Sequence, residues 1–375
     1  MTSPTTRPLL LGTGVHIPEP VITNEELVES FNRWVASENE RRVARGEPPL
    51  EGSNAAFIVE ASGVRERHVL EKAGILDPAR MVPFLPERAD EELSIQAEFG
   101  LASARLAIAD AGLQPSDIDL VICSCAHHQR PYPAIGIEIQ RALGCPGAGF
   151  DMNVACSSTT FAMHLAAGMV RSGAARNVLV CSPEIMSGHL NFRDRKTHFI
   201  FGDASASVVI GAGPASAAKT SPLFEIERSE IWTEMSSNIR SNFGFLNRAN
   251  PDTAGDDDKL VTQVGNKVFR EVVTAASKFI RGFLDRAGVG VPEIDRFWLH
   301  QANIKMNRAL MRHVAGDELA DRVPITLADI GNVAAPGSII AFERTRSETP
   351  VGGHGLVCSF GAGYSIGALL LKRLS

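Results

Sequence analysis

The stretch Gly149 to Gly173, GFDMNVACSSTTFAMHLAAGMVRSG, decides how the chain is expected to fold. Its apolar start, Phe150 to Val154, predicts a short buried strand, and Thr160 to Arg171 places apolar residues at helical spacing. Cys156 lies between the two and is followed by Ser and Thr, residue types that cap helices. Backbone N–H groups and the positive dipole end at such a turn favour a thiolate, so Cys156 is a candidate nucleophile. A small buried structural cysteine is an equally good interpretation of these residues alone.

Length and composition indicate a soluble, enzyme-like protein. The 375 residues are enough for two to three domains, and 44% apolar with 21% charged residues is typical of a chain with a large core. A net charge of −6 argues against nucleic-acid binding through bulk charge. The sequence lacks a membrane-length apolar run, and Pro18 interrupts a leader too short to be a signal peptide. Six cysteines without framework spacing fit a reducing compartment, so we expect a cytoplasmic protein without disulfides.

The first predicted strand, Leu9 to Val15, carries a pair of glycines with the spacing found in nucleotide-binding turns. These are Gly12 and Gly14, but Pro18 and Pro20 follow where a dinucleotide-binding helix would have to begin. The sequence therefore argues against a Rossmann fingerprint at this position.

One pattern of helix, turn and strand occurs twice along the chain. A helix over Leu93 to Ala111 is followed by a strand over Leu120 to Cys125, and a helix over Val268 to Ala287 is followed by a strand over Arg296 to Leu299. The glycine after each helix and the Ile-Asp pair before each strand keep the same spacing. This indicates two related α/β halves around a largely parallel sheet, with Gly211 to Ser221 as the joint.

Two further segments are charged or polar, and we expect them to lie outside this core. Residues Phe31 to Asn54 predict an exposed and partly helical excursion, and Ser236 to Lys259 predict a loop over the second half.

Cys123, Cys125 and His127 alternate along the sequence, which would place their side chains on one face of a strand. A zinc site is conceivable there, but one straight strand makes a poor tetrahedral cage, so buried small side chains are the favoured interpretation.

The second half supplies three candidate partners for a reactive cysteine. His300 ends a predicted strand, at the sheet edge where α/β proteins bind ligands. Asn332 lies in the glycine-flanked loop Ile330 to Ser338, and Ser359 to Tyr364 is a loop of small residues that lets backbone N–H groups approach a ligand. Each has an ordinary alternative: a structural histidine, a turn asparagine or a tight hairpin turn.

Four motifs therefore follow one another along the chain: Ala155-Cys156-Ser157, His300-Gln301-Ala302-Asn303, Gly331-Asn332 and Phe360-Gly361-Ala362-Gly363-Tyr364. In this order they resemble the β-ketoacyl-acyl-carrier-protein synthase III enzymes of the thiolase superfamily. Two more segments match the family, Ser62 to His68 and Phe201 to Ala206, and the resemblance covers nearly the whole chain.

The resemblance implies a thiolase-like five-layered αβαβα fold, a homodimer, and two pseudo-equivalent halves, here 1–217 and 218–375. It implies that Cys156 takes the acyl group from a thioester while the backbone N–H groups of Cys156 and Ala362 stabilise the oxyanion. His300 and Asn332 would donate hydrogen bonds to the enolate formed when a malonyl thioester loses carbon dioxide. Neither a metal nor another cofactor is required by this chemistry.

Further residues are assigned by the same resemblance. Phe57 stands where acetyl-preferring members carry a tryptophan that stacks on adenine, Ala61 replaces a nearby arginine, and Arg195 is retained for the nucleotide end. Tyr132 matches an aromatic residue that reaches into the partner subunit's acyl tunnel. Three basic residues match positions that meet the acidic carrier protein, although solvated helix charges explain each of them equally well: Arg270, Lys305 and Arg312.

The expected activity is decarboxylative Claisen condensation of an acyl-coenzyme A with malonyl-acyl carrier protein in fatty acid biosynthesis. The altered nucleotide contacts and the long segment Phe31 to Asn54 favour a medium-chain donor such as octanoyl. Two enzymatic alternatives stay open: an initiating synthase that uses acetyl-coenzyme A, and an acyltransferase that transfers the acyl group of Cys156 to a non-malonyl acceptor. A non-catalytic binding module is disfavoured because Cys156, His300 and Asn332 are all present.

Overall fold

The computed structural model describes residues 6–212 and 221–375 and contains one nine-stranded mixed sheet. Its strand order is β11-β12-β13-β8-β1-β7-β6-β4-β5, and two short two-stranded sheets accompany it. The strands are β1 Pro8–His16, β2 Val21–Thr23, β3 Glu66–His68, β4 Leu120–Ser124, β5 Ala148–Met152, β6 Asn177–Glu184, β7 Ala204–Ala212, β8 Phe224–Thr233, β9 Ile239–Arg240, β10 Thr262–Gln263, β11 Ile294–Leu299, β12 His354–Gly361 and β13 Ser365–Arg373.

The helices account for most of the remaining regular structure. They are α1 Asn24–Ala44, α2 Ala55–Ser62, α3 Ala73–Leu76, α4 Ile95–Asp110, α5 Ile135–Leu143, α6 Ser158–Ser172, α7 Gly265–Ala287, α8 Ile304–Ala315, α9 Leu327–Ile330 and α10 Gly337–Thr345. Within residues 6–212 and 221–375, no helix combines the length and apolar character that a membrane crossing would need.

The sheet has two arms with the same internal arrangement. In one arm β1 pairs antiparallel with β7, β7 antiparallel with β6, and β6 parallel with β4. In the other arm β8, β13, β12 and β11 repeat this sequence of antiparallel, antiparallel and parallel pairings. The arms join where β1 pairs with β8. The proposed boundary between residues 217 and 218, and most of the expected joint, lie outside the described residues.

Helices form layers between and outside the two arms. Helices α6 and α10 contact strands of both arms, and they share an apolar core with them. Helices α4 and α5 cover the outer face of the first arm, while α7 and α8 cover the outer face of the second. The layer order is therefore αβαβα, and the predicted fold class is confirmed. The expectation of a largely parallel sheet was wrong, because five of the eight neighbouring strand pairs in the nine-stranded sheet are antiparallel.

The repeated helix-to-strand pattern also has the expected geometry. Helix α4 ends at Asp110 and α7 at Ala287. Gly112 and Gly288 follow them, both with a positive φ, and a 3₁₀ turn then leads into β4 or β11. Glycine is the residue that adopts this left-handed conformation without a steric penalty.

The glycines of β1 serve packing between a strand and a helix. A Cβ atom at Gly12 would lie 2.3 Å from the backbone nitrogen of Ala111, and one at Gly14 would lie 2.2 Å from the carbonyl oxygen of Ser103. The missing side chains let α4 and its C-terminal end lie directly against β1.

The segment Phe31 to Asn54 is less exposed than its composition suggested. Helix α1, capped at Thr23, continues through it to Ala44, and Phe31 is buried in a core with Phe192 and Phe199. Hydrogen bonds from two asparagine side chains hold the segment that returns from α1. The Asn32 amide makes two with the backbone of Ser53, and the Asn39 amide makes two with the backbone of Leu50. The prediction was wrong for the buried face of α1, because the density of charged residues masked its apolar positions.

Other predicted boundaries differ from the structure by a few residues. The strand expected at Phe150 to Val154 is β5, which begins and ends two residues earlier. The small-residue loop expected from Ser359 is shorter, because β12 continues to Gly361. The polar segment Ser236 to Lys259 contains three 3₁₀ turns and β9, which pairs with β10.

Candidate active site

Cys156 lies in a tight turn between β5 and α6. Ala155 adopts a positive φ of 48°, which turns the chain sharply just before the cysteine. The hydroxyl of Ser158 accepts a hydrogen bond from the Val154 N–H at 2.8 Å and holds this turn closed. Ser157 is the N-cap but makes no capping bond; its hydroxyl donates to the Ser365 carbonyl at 3.0 Å, which ties the turn to β13.

Accessibility distinguishes Cys156 from the other cysteines. All six are free thiols within the described residues, and five of them are buried while Cys156 is half-buried. Cys156 lines a cavity of about 330 Å³. We call it the Cys156 cavity.

His300 and Asn332 line the same cavity, so the structure brings the three predicted residues together. The remaining lining is largely apolar and comes from α7, α8 and several loops. It includes Ile200, Phe201, Ile239, Val261, Val268, Phe269, Val272, Met306 and Phe360. A volume and a lining of this kind are typical of a site for a small apolar ligand.

His300 follows the last residue of β11. Its backbone N–H continues the sheet by donating to the Cys358 carbonyl at 2.8 Å, and its ring meets the edge of Phe360 at 5.3 Å between centroids. Burial lowers the pKa of His300 to about 4, against a weaker opposing hydrogen bond to the Ala334 backbone. The imidazole is therefore neutral at physiological pH and can either accept a proton or donate one N–H bond.

Hydrogen bonds hold both the backbone and the side chain of Asn332 in place. Its backbone exchanges hydrogen bonds with the segment around Phe201, donating to the Ile200 carbonyl at 2.8 Å and accepting from the Gly202 N–H at 3.1 Å. Its side-chain Oδ1 accepts the N–H of Ala334 at 2.9 Å. Because the oxygen is occupied, the amide NH₂ is the group left to donate into the cavity.

A second backbone segment approaches the Cys156 turn from the end of β12. A Cβ atom at Gly361 would lie only 2.9 Å from the backbone nitrogen of Cys156. The absence of a side chain therefore lets the residues before Ala362 pass directly over the cysteine N–H. This arrangement suits two backbone donors that share one oxygen atom.

Glu184 is a buried acidic residue that the sequence reasoning missed. It ends β6, and its Oε1 accepts N–H bonds from Ala126 at 2.6 Å and Ala335 at 3.4 Å. Burial raises the pKa of Glu184 to about 8, so the carboxyl group is mainly protonated at neutral pH. An acidic residue at the end of an otherwise uncharged strand, NVLVCSPE, is the feature that could have identified it.

The pKa of Cys156 runs against the expectation from its turn. Burial, followed by the nearby Glu184 carboxylate, raises it to about 12, and a backbone hydrogen bond lowers it only in part. In the ligand-free site the cysteine is therefore a thiol, so its reaction requires a base. The neutral imidazole of His300 lines the same cavity and is the group available for this role.

Two of the residues assigned to the nucleotide lie against each other. The Arg195 guanidinium covers the Phe57 ring at 4.3 Å from its centroid, and its Nε donates to the Gly52 carbonyl at 2.7 Å. Ala61 lines the Cys156 cavity, where its carbonyl accepts a bond from Asn303. Phe57 and Ala61 both belong to α2, so the contact between Phe57 and Arg195 lies one helical turn along α2 from the cavity lining.

The remaining assigned residues do not share one location. Tyr132 is 81% exposed and does not line the cavity of its own chain. Lys305 lines the Cys156 cavity, whereas Arg270 lines a separate surface groove beside α7. Arg312 is paired with Asp317 at 3.1 Å.

Similar proteins identify the family of this chain. The family model of 3-oxoacyl-[acyl-carrier-protein] synthase III matches residues 150–225, and that of its C-terminal part matches residues 284–373. A β-ketodecanoyl-[acyl-carrier-protein] synthase of Pseudomonas aeruginosa is 46% identical over 351 residues, which cover 92% of this chain and 100% of the relative.

The chain belongs to the β-ketoacyl-acyl-carrier-protein synthase III family.

Solved structures agree on the fold of this synthase III. A 3-oxoacyl-(acyl carrier protein) synthase III of Pseudomonas aeruginosa has a TM-score of 0.76 at 22% identity, covering 98% of this chain and 99% of that one. The priming β-ketosynthase of the R1128 polyketide pathway has a TM-score of 0.77 at 25% identity, covering 100% and 99%. The protein is thus a thiolase-like condensing enzyme and an acyltransferase of fatty acid biosynthesis. The substrates of its family are an acyl-coenzyme A and malonyl-acyl carrier protein.

Proposed function

We propose that this synthase III condenses a medium-chain acyl-coenzyme A, with octanoyl as the test case, with malonyl-acyl carrier protein. One observation supports this length of the acyl donor: the relative that is 46% identical along its whole length is a β-ketodecanoyl synthase. A ten-carbon 3-oxoacyl product requires an eight-carbon donor, because malonyl contributes two carbons after decarboxylation. The apolar lining of the Cys156 cavity supports the same conclusion.

The first half-reaction is acylation of Cys156. The thiol loses its proton to the neutral His300 imidazole, attacks the thioester carbonyl, and releases coenzyme A, which takes up the proton as its thiol. The N–H groups of Cys156 and Ala362 stabilise the oxyanion of the tetrahedral intermediate. The close approach of Gly361 to the Cys156 nitrogen supports this pairing of donors.

The second half-reaction is condensation. The malonyl thioester loses carbon dioxide, and the resulting enolate oxygen accepts hydrogen bonds from His300 and from the Asn332 NH₂. The enolate carbon then attacks the acyl-Cys156 carbonyl, and the cysteine sulfur leaves. The orientation of Asn332, with its oxygen held by Ala334, supports its role as a donor.

We also propose that the enzyme is a homodimer in which Tyr132 closes the partner's acyl tunnel. Among the strands of residues 6–212 and 221–375, β5 is the last of the sheet, and its outer edge can pair with a second copy. Phe57 and Arg195 would contact the nucleotide end of coenzyme A. Arg270, Lys305 and Arg312 are proposed to meet the acidic carrier protein, and Lys305 at the cavity is the best placed of them.

Burial of the acyl chain sets the expected preference. An octanoyl chain has six more methylenes than an acetyl group, and each buried methylene contributes about 0.8 kcal/mol. If three of the six are buried, the gain of about 2.4 kcal/mol corresponds to a preference of roughly fifty-fold.

The test is intact-mass measurement of acylation with coenzyme A thioesters of two to twelve carbons. We expect the acylation efficiency to rise from acetyl to octanoyl, with one acyl group per chain. Cys156→Ser should carry none, whereas Cys145→Ser, which removes a buried thiol that does not line the cavity, should acylate normally.

Other outcomes identify the alternatives. Efficiency that falls steadily from two to eight carbons would favour the acetyl-using initiating enzyme. Acylation without carbon dioxide release from malonyl-acyl carrier protein would favour transfer to a different acceptor.

A further inference from the structure

A compact group of metal-ligand side chains lies outside the Cys156 cavity. Cys123, Cys125 and His128 place one ligand atom each within 4.8 Å of one another. Both cysteines are buried, and the His128 side chain is only 12% exposed. None of the three residues lines the cavity, so the condensation chemistry does not account for them.

The bend after β4 creates this group. The strand ends at Ser124, so Cys125 and His128 lie beyond it, on a segment that turns back toward Cys123. His127, which the alternating pattern had selected, instead stacks on His189 with 3.8 Å between ring centroids. These three residues therefore do not come from one straight strand, and they can approach a cation from more than one direction.

The sulfur atoms have the spacing of a metal site. The Sγ atoms of Cys123 and Cys125 lie 3.8 Å apart. Two thiolates bound tetrahedrally to zinc, at the usual sulfur distance of about 2.3 Å, lie about 3.8 Å from each other.

A carboxylate supports the histidine from the neighbouring strand. Asp151 on β5 is fixed by two N–H bonds from the start of α5, from Gly136 at 2.7 Å and Ile135 at 2.9 Å. Its Oδ2 lies 3.9 Å from the Nε2 of His128. That nitrogen is buried and has no hydrogen-bond partner within the described parts of the chain. Metal-binding histidines typically have such a carboxylate behind them, which orients the ring.

We propose that Cys123, Cys125 and His128 bind a thiophilic d¹⁰ cation, with Zn²⁺ as the probe, and that Asp151 orients His128. On binding, the two thiols release two protons to solvent and His128 binds through a neutral nitrogen. Thiolate and imidazole ligands favour zinc over magnesium or calcium. The ligands all belong to the end of β4 and its bend, which the cation would fix against β5.

Because the cysteines are buried, the cation is best supplied while the chain folds. Protein would be produced in minimal medium with zinc, and separately with Co²⁺, and purified without chelator or affinity metal. We expect about one zinc per chain by mass spectrometry of the metal, and a sulfur-to-cobalt charge-transfer band in the cobalt protein.

Matched variants decide where the cation binds. Cys123→Ser and His128→Gln should lose the zinc and the cobalt band, while Cys145→Ser and Cys156→Ser should keep both. Cys145 is a suitable control because it is buried in the same apolar cluster but is not one of the ligand group. If Cys123→Ser fails to fold, His128→Gln decides alone, because His128 lies in the bend after β4 and not in the strand itself. Wild-type protein with no more zinc than His128→Gln, or zinc lost equally from the Cys156→Ser variant, would overturn the proposal.

Discussion

At the scale of single residues, the site depends on which atom of each side chain is left free. Asn332 illustrates this, because Ala334 occupies its oxygen and only the NH₂ remains to donate. His300 illustrates it through protonation, since its lowered pKa keeps the ring neutral at working pH. A sequence motif names these residues but does not state the orientation of an amide or the protonation of an imidazole, because both depend on neighbours distant in the chain.

We expect Asn332→Ala to separate the two half-reactions. The variant should still acylate Cys156, because the amide does not contact the first thioester in the proposed mechanism. Decarboxylation of the malonyl thioester should fall by about 10²–10³, the typical effect of losing one preorganised donor. Single-turnover assays of acylation and of carbon dioxide release would measure the two steps.

Asn332→Asp provides the structural control for that experiment. The aspartate retains an oxygen that can accept the Ala334 N–H, so the loop bond survives while the donor is lost. Equal losses in both half-reactions for either variant would contradict the proposed division between steps.

At the scale of elements, Glu184 connects three segments that are distant in sequence. It ends β6 and accepts bonds from Ala126, beyond β4, and from Ala335, just before α10. The second oxygen of this carboxyl group has no partner within residues 6–212 and 221–375. A buried carboxyl with one unpaired oxygen is stable when that oxygen carries a proton, which agrees with its raised pKa.

This raised pKa predicts a pH-dependent stability. In the unfolded chain Glu184 titrates near the ordinary value of 4.5, whereas in the folded protein its pKa is about 8. The stabilisation is fully present below the unfolded pKa and is lost as the pH rises from about 4.5 to about 8, by at most about 1.4 kcal/mol per pH unit. Glu184→Gln keeps the shape without the charge, so its stability should fall less over this range.

Urea unfolding of both proteins at pH 5, 6.5 and 8 would measure the effect as a difference. Asp203, whose pKa burial raises to about 6, contributes with the same sign to both proteins and therefore cancels. An identical pH dependence in the two proteins would mean that Glu184 is ionised in the folded state.

The sequence was informative about elements where local patterns and packing agree. The paired helix-to-strand patterns correctly predicted two arms, because Gly112 and Gly288 are required by local backbone geometry. The sequence was less informative where contacts between distant segments determine which side chains are buried, where they lie and what their pKa values are. The buried face of α1, the bend that brings His128 rather than His127 to the cysteines, and the pKa of Cys156 all depend on residues from other elements.

At the scale of the whole molecule, the two arms place the cysteine and its partners on different halves. Cys156 comes from the first arm, whereas His300 and Asn332 come from the second, and all three meet at one cavity. Ser157 and Glu184 bridge the arms through Ser365 and Ala335. The relative position of the arms therefore determines the geometry of the site, and local sequence carries no direct information about it.

The proposed dimer extends this dependence to a second chain. Tyr132 is almost fully exposed and lies apart from its own cavity, so a role in the acyl tunnel requires a partner subunit. Enlarging it with Tyr132→Trp should shorten that tunnel, because overpacking a filled apolar site typically costs 1–3 kcal/mol. We expect octanoyl acylation to fall by about tenfold or more, while acetyl acylation changes little.

Phe84→Trp, at another exposed aromatic residue, is the matched control and should leave both rates unchanged. Light scattering should give twice the chain mass of 40.2 kDa for all three proteins. A monomeric wild type, or an unchanged chain-length profile in Tyr132→Trp, would show that the tunnel ends within one subunit.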